Sequence, residues 1–133
     1  MITAVDTSVL LDVFKAEKSH VFASQAALRK AMRDGALVAC DVVWAELRPW
    51  FRASRDLVRT MEMLGVAYSP TTLEAALEAG KAWHRYRLAG GPRDRLIPDF
   101  LVAGHALVSA ERFLTRDRGF YRRWFEDLRI LEP

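Results

Sequence analysis

Residues 2–8 read ITAVDTS, a short apolar run followed directly by an acid and two hydroxyl residues. The β-branched and apolar part of this run predicts a buried strand that ends at Asp6. Thr7 and Ser8 can cap the helix that follows, which extends through Phe14. This stretch therefore predicts a strand, an acid at the carboxyl end of that strand, and then a helix.

The same alternation of strand and helix continues along the rest of the sequence. Further strands are predicted over residues 37–40, 66–68, 112–114 and 129–131. Further helices are predicted over residues 21–33, 42–47, 54–64, 69–88, 100–110 and 120–125. Pro49 either begins a new helical segment or kinks the helix that Asp41 caps. Because short apolar strands alternate with helices, the pattern predicts an α/β fold, with helices on both faces of a parallel sheet.

Length and composition indicate one globular domain that spans residues 1–133. Hydrophobic residues make up 51% of the chain and charged residues 28%, a balance that argues against disorder. The chain has a single cysteine, Cys40, which excludes an internal disulfide and a multi-cysteine metal site. One cysteine also fits a reducing compartment. We expect Cys40 to be buried at a strand end. No signal peptide or membrane span is evident, so we expect a soluble, cytoplasmic protein with no membrane partner.

The positive charge of the chain comes mainly from arginine. The formal net charge is +3, and sixteen arginines stand against four lysines. Between residues 85 and 123 there are nine arginines and four acids. This basic half could steer a polyanion toward the protein, since the guanidinium fork matches phosphate oxygens. An equally open interpretation is that genome composition favours Arg and that most of these side chains form a solvated surface.

Four acids are expected to meet at one edge of the sheet. Asp6 follows the first strand directly, and Asp117 follows the fourth strand by two residues. Asp99 lies at the start of a helix, and Glu46 lies in the first turns of the helix after the second strand. Because sites in open parallel sheets form beyond the carboxyl ends of the strands, all four side chains can reach the same place.

Carboxylates held this close repel one another unless protons or cations neutralise them. Oxygen ligands favour hard cations such as Mg²⁺ or Mn²⁺, and acidic sites of this kind suit phosphodiester hydrolysis. Each acid also has a purely structural explanation. Asp6 and Asp99 could cap helices, Glu46 could pair with a neighbouring arginine, and Asp117 could be a turn acid.

Other catalytic chemistries find little support in the sequence. The three histidines are scattered without zinc-site spacing, and His105 lies in an alanine-rich helix where a structural role fits best. Neither a Gly-x-Ser-x-Gly elbow nor a phosphate-binding Walker loop is present. The four tryptophans are better explained as core or interface residues than as base-stacking platforms.

Four short motifs follow one another along the chain. They are VDTSVLLD at Val5–Asp12, VWAEL at Val43–Leu47, IPDFLVAGHA at Ile97–Ala106 and LTRDRGFY at Leu114–Tyr121. In this order and spacing they resemble the PIN-domain ribonucleases, and within them the VapC-like toxins of bacterial and archaeal toxin–antitoxin pairs. The resemblance spans nearly the whole chain and implies a three-layer α/β/α sandwich around a parallel sheet of four or five strands.

The resemblance also implies a Mg²⁺-dependent endoribonuclease that acts on single-stranded or looped RNA, with Mn²⁺ as a substitute ion. Carried over by position, the catalytic and metal-binding residues are Asp6, Glu46, Asp99 and Asp117. Supporting hydroxyls that orient these acids or a water are Thr7 or Ser8, and Thr115. Asp94 is either a fifth ligand or a loop partner for a neighbouring arginine.

Partners follow from the same resemblance. A cognate VapB-like antitoxin is expected to lay an apolar segment, and an arginine, into the groove near the acids. A basic rim that would hold the RNA backbone comprises Arg52, Arg93, Arg95, Arg116 and Arg118. A homodimer is expected to pair near the second and third strands, with contributions from Trp44, Trp50, Phe51, Leu57, Met61 and Met63, although core packing explains several of these equally well.

Two other functions are alternatives to the ribonuclease. A non-catalytic PIN-like module that binds RNA or protein is the main alternative, although a degenerate site should have lost one of its acids. A response-regulator receiver domain requires paired acids after the first strand and a lysine near the C-terminus. The last lysine of this chain is Lys81, which argues against a receiver domain.

Overall fold

Five short strands alternate with helices in the computed structural model of the chain, which describes residues 1–16, 18–93 and 95–133. The role suggested for Asp94 concerns a residue outside these ranges. The elements are β1 (Ile2–Val5), α1 (Thr7–Phe14), α2 (Val21–Asp34), β2 (Ala36–Ala39), α3 (Asp41–Leu47), α4 (Ser54–Leu64), β3 (Val66–Tyr68), α5 (Leu73–Leu88), α6 (Ile97–Ser109), β4 (Arg112–Leu114), α7 (Arg118–Trp124) and β5 (Ile130–Leu131).

The strands form one parallel sheet in the order β3-β2-β1-β4-β5. The chain moves outward from β1 to β3 and then returns to place β4 on the other side of β1. This reversal makes the gap between the carboxyl ends of β1 and β4 the switch point, where open α/β sheets bind ligands. Right-handed crossovers assign α1 to α4 to one face of the sheet and α5 to α7 to the other.

The register brings the ends of the two central strands level with each other. Val5 of β1 pairs with Leu114 of β4, and the Asp6 amide donates to the Leu114 carbonyl oxygen at 2.9 Å. The three residues of β4 are buried, as are Thr3 to Val5 of β1, because helices cover both faces of the sheet. The predicted fold class is confirmed, with five strands rather than four.

Helices α5 and α6 pack closely on one another. A Cβ atom on Gly104 of α6 would lie 2.5 Å from the carbonyl oxygen of Ala75 on α5 and 3.0 Å from Cβ of Ala79. Glycine is therefore required at position 104 for the two backbones to approach. This contact fixes α6, the helix that carries Asp99.

Helix boundaries differ from the prediction where capping chemistry was misassigned. Asp6, not Thr7 or Ser8, caps α1, because its Oδ1 accepts from the Thr7 amide at 2.8 Å. Helix α6 begins at Ile97, three residues early, since a proline in the first helical turn needs no amide hydrogen. Pro49 belongs to a separate turn of 3₁₀-helix, Arg48–Trp50, so it begins a new segment rather than kinking α3.

The core includes several residues to which the sequence suggested other roles. Leu57 and Met61 are buried in the main hydrophobic cluster, so they do not form a dimer surface; Trp50 and Met63 are exposed.

Cys40 and His105 are buried, as expected. The His105 Nε2 atom lies 2.8 Å from the Ser69 hydroxyl, which supports a structural role. In the described part of the chain, no helix has the length and apolar character needed to cross a membrane.

Candidate active site

A cavity of about 540 Å³ opens at the switch point between β1 and β4. It brings together the four predicted acids, two of the predicted hydroxyl residues and two of the five rim arginines. The lining residues are Asp6, Thr7, Ser8, Leu11, Glu46, Arg95, Asp99, Val102, Arg116, Asp117 and Tyr121. Segments that lie far apart in the sequence therefore converge on one concave, acidic surface.

Asp6 is the most deeply held of the four acids. It directly follows β1, and its position as the cap of α1 turns its carboxylate toward the cavity. Thr115, at the end of β4, donates its hydroxyl to Asp6 Oδ2 at 2.7 Å, and Thr7 donates its amide to Oδ1. The Asp117 amide in turn donates to the Thr115 hydroxyl at 3.0 Å. Thr115 therefore links the ends of β1 and β4 through its hydrogen bonds to Asp6 and Asp117.

Glu46 reaches the cavity from α3, on the other side of β1 from Asp117. Its Oε1 atom accepts a hydrogen bond from the Thr7 hydroxyl at 3.0 Å. Thr7 thus contacts two of the acids, Asp6 through its amide and Glu46 through its side chain. The structural explanation in which Glu46 pairs with Arg48 does not hold, because Arg48 bonds to Ser54 and to nearby carbonyl oxygens.

The loop before α6 contacts the other two acids. The Leu96 amide donates to Asp99 Oδ2 at 3.3 Å, which fixes the first turn of the helix. Arg95 forms an ion pair with Asp117, and its guanidinium lies 4.3 Å from the centre of the Phe120 ring. The chain itself therefore places a positive charge, the Arg95 guanidinium, beside the Asp117 carboxylate.

The electrostatics of the cavity disfavour negative charge. Burial, opposed by hydrogen bonds from Thr115 and Thr7 and reinforced by the charges of Glu46 and Asp99, raises the pKa of Asp6 to about 6. Burial and the charge of Asp99 also raise the pKa of Glu46. Burial and the nearby acids hold the pKa of the Tyr121 phenol well above its ordinary value, so the phenol stays protonated. An added positive charge would relieve this repulsion.

The remaining rim arginines lie outside the acidic cavity. Arg93 lines a neighbouring cavity with Trp83 and Tyr86, Arg118 forms an ion pair with Glu132, and Arg52 is exposed after the 3₁₀ turn. Asp12, a buried acid that pairs with Arg116, was not among the predicted site residues. No local signal could have indicated this pair, because its members are 104 residues apart.

The donor chemistry of the cavity fits a hard cation. Its acidic groups offer only oxygen atoms, and Ser8 keeps a buried hydroxyl without a hydrogen-bond partner among the described residues. Within residues 1–16, 18–93 and 95–133, no three acidic, histidine or cysteine side chains already form a metal-binding group. Mg²⁺ does not require one, because it binds through one or two carboxylates and keeps several waters.

The raised pKa of Asp6 predicts a specific dependence of stability on pH. Between the ordinary pKa of 3.8 and about 6, the folded chain retains a proton that the unfolded chain has lost. The free energy of unfolding therefore falls by about 2–3 kcal/mol as the pH rises through this window, and this contribution is constant above it. Urea unfolding in the presence of a chelator should show this fall for the natural chain and its loss in Asp6→Asn. Parallel pH profiles for the two proteins would contradict the assignment.

Comparisons with known proteins concern the family and the fold of the chain. A family model described as the PIN domain matches residues 3–125 of the chain. The sequence matches no curated protein.

Several solved structures share this fold. A chain of VapBC2 from Rickettsia felis bound to promoter DNA matches with a TM-score of 0.75 at 14% identity, over 99% of this chain and 98% of that one. VapBC-1 from nontypeable Haemophilus influenzae gives 0.74 at 20% identity, over 99% and 98%. A toxin–antitoxin complex from Klebsiella pneumoniae gives 0.66 at 14% identity, over 97% and 95%. At these identities the likeness concerns the fold.

Proposed function

Since the chain belongs to the PIN domain family, we propose that it is a Mg²⁺-dependent endoribonuclease of the VapC-like toxin type, which hydrolyses RNA phosphodiester bonds. One observation carries the proposal. Asp6, Glu46, Asp99 and Asp117, from four separate segments, line one cavity at the switch point of the sheet. A chain that needed these acids only as caps or turn residues would have no reason to gather them, since the charge of one raises the pKa of another.

In this mechanism Asp6 and Asp99 would hold the cation, with Asp117 beside them. When bound, the ion lowers the pKa of a water and stabilises negative charge on the phosphate oxygens. Thr115 and Thr7 hold the two oxygens of Asp6 in place, so the carboxylate needs no rearrangement. Glu46, which is fixed by Thr7, positions the attacking water or holds a second ion.

Arg95 has to leave Asp117 for that carboxylate to contribute fully. Both members of the ion pair line the cavity and both side chains are partly exposed, so solvent can take the place of the carboxylate at the guanidinium. Once released, Arg95 can contact the substrate backbone as the basic rim requires. The other rim arginines would act at greater distance, along the path of the RNA.

We further propose a VapB-like antitoxin as the partner that restrains this activity. The toxin–antitoxin complexes among the structural neighbours support this assignment. The acidic cavity also suits an inserted arginine, since it already accommodates Arg95. A homodimer is proposed on the α3, α4 and β3 side, where Trp44, Val58 and Tyr68 line a shallow apolar cavity.

The decisive experiment is cleavage of labelled single-stranded RNA by the purified chain. We expect cleavage with Mg²⁺ or Mn²⁺, none with excess chelator, and none of a DNA strand of the same sequence. Adding Mg²⁺ should also raise the melting temperature, because the ion binds only the folded acid cluster. RNA binding without cleavage under any of these metals would favour the non-catalytic module instead.

A further inference from the structure

Arg116 occupies an unusual position among the cations near the active site. It lines the acidic cavity, yet its carboxylate partner, Asp12, lies outside that cavity on α1. Arg116 Nε and Nη2 bind the two oxygens of Asp12 at 2.7 and 3.0 Å. The Asp12 side chain is 3% exposed, whereas that of Arg116 is 36% exposed. The Asp12 carboxylate of the pair is therefore buried, whereas the Arg116 guanidinium is partly exposed to solvent.

Asp12 is itself fixed by a second helix. Ser24 of α2 donates its hydroxyl to Asp12 Oδ2 at 2.7 Å. Burial of a carboxylate is costly unless hydrogen bonds satisfy it, and here two side chains do so. Asp12 therefore holds the Arg116 guanidinium in one orientation before any ligand binds, so the arginine side chain loses little conformational entropy on binding.

The other edge of the Arg116 guanidinium is available. A guanidinium has five N–H donors. Asp12 takes two of them, and no other described residue takes one of the remaining three. These donors form the fork that binds two oxygens of a phosphate at once. Arg95, the other arginine of the cavity, differs because its partner Asp117 belongs to the acid cluster itself.

The location of Arg116 fits a nucleic acid strand. Arg116 also lines a second cavity of about 200 Å³, together with Arg118 and His20. It therefore lies between this cavity and the acidic one, where a strand that extends from one to the other would pass it. A phosphate approaching the acids is repelled by them, so a fixed donor at this boundary offsets part of that repulsion.

We propose that Arg116 binds a backbone phosphate next to the scissile bond, and that Asp12 is the positioning residue that orients it. The proposal rests on the ribonuclease function proposed above, and it assigns the substrate contact on one side of the cut. A purely structural ion pair would stabilise the fold in the same way, but it would not affect substrate affinity.

The test compares Arg116→Gln with the natural chain in RNA cleavage and in RNA binding. We expect KM for a short single-stranded RNA to rise about 10- to 100-fold, as for loss of a charged hydrogen bond, with kcat changed less than about threefold. Binding of the same fluorescent RNA in chelator, measured by anisotropy, should weaken by a similar factor. Asp12→Asn should raise KM by a smaller factor, and Arg116→Lys should restore affinity only in part.

Two controls separate orientation from stability and from charge. Asp34→Asn removes the acid paired with Arg112 at the opposite edge of the sheet, so it should affect melting but not KM. Arg59→Gln, at an exposed position of α4, removes one positive charge and should leave KM unchanged. Should Arg116→Gln fail to fold, the double variant Asp12→Asn/Arg116→Gln removes both charges and takes its place.

The outcomes distinguish this inference from the proposed function. Cleavage of RNA with an unchanged KM in Arg116→Gln overturns the inference and leaves the ribonuclease intact. RNA binding that weakens in Arg116→Gln, in a chain that never cleaves RNA, supports phosphate binding by Arg116 but overturns its placement next to a scissile bond together with the proposed function. A natural chain that neither binds nor cleaves RNA overturns both.

Discussion

Replacing Asp6 or Asp99 with asparagine is expected to abolish RNA cleavage while the chain stays folded. Outer-shell partners of metal sites contribute about 10- to 100-fold, so loss of a carboxylate that holds the ion should cost at least about 100-fold in kcat/KM. Asparagine preserves the shape of the side chain, and the Thr115 hydroxyl can rotate to accept from the new amide. Because the natural Asp6 is buried and repelled by its neighbours, Asp6→Asn should be no less stable than the natural chain at neutral pH.

A matched control for these variants is Asp41→Asn. Asp41 also follows a strand, β2, but it does not line the acidic cavity, and its carboxylate binds the Thr71 amide at 3.1 Å. Cleavage should stay within a few-fold of the natural rate, since the change weakens only the hydrogen bonds that Asp41 accepts from the Thr71 amide and hydroxyl, outside the cavity. Steady-state assays with melting curves for all three variants separate catalysis from folding. Cleavage by Asp6→Asn or Asp99→Asn above about a tenth of the natural rate would overturn the assigned roles.

Phe100→Ala is expected to be the most damaging single change to stability. Phe100 is fully buried and lies next to Asp99 in α6. Its ring contacts four others, those of Trp83, Tyr86, Phe120 and Phe125, at centroid distances of 5.1, 5.3, 5.3 and 6.1 Å. Truncation leaves a cavity and removes these aromatic pairs, so we expect a loss of about 3–5 kcal/mol in the free energy of unfolding.

Chemical denaturation at neutral pH measures this loss directly. Phe22→Ala on α2 is the control, since Phe22 is 79% exposed and its truncation should change stability by less than about 0.5 kcal/mol. If Phe100→Ala unfolded at the same urea concentration as the natural chain, the aromatic cluster would not be the support of α6. RNA cleavage by Phe100→Ala should also fall, because the first turn of α6, which carries Asp99, would lose its packing against the core.

The sheet and the acids that follow its strands were predictable from local patterns. Residues 2–5 and 112–114 are short, mostly apolar stretches that are followed by hydroxyl and acidic residues, and parallel strands align their carboxyl ends. That alignment alone places Asp6 near Thr115 and Asp117. The positions of Glu46 and Asp99 also followed, because each lies within a helical turn or two of the same sheet edge.

The pairs that tune the site could not be predicted in the same way. The Arg95–Asp117 and Arg116–Asp12 pairs depend on how loops fold back over the sheet, and sequence spacing contains no information about such contacts. Five arginines looked equivalent as rim residues, yet only Arg95 and Arg116 line the acidic cavity. The cap of α1 was misassigned for a related reason, since an acid at a strand end can serve both as a helix cap and as a site residue.

The central place of β1 in the sheet has a consequence for biosynthesis. Its partner strand β4 follows so late that Asp6 and Thr115 are separated by 109 residues. At translation rates of about 5–20 residues per second, the ribosome needs roughly 5–20 s to make the intervening segment. Nascent chains therefore carry Asp6 before Thr115 and Asp117 exist, so under the proposed function the acid cluster cannot assemble until the last part of the chain has been made.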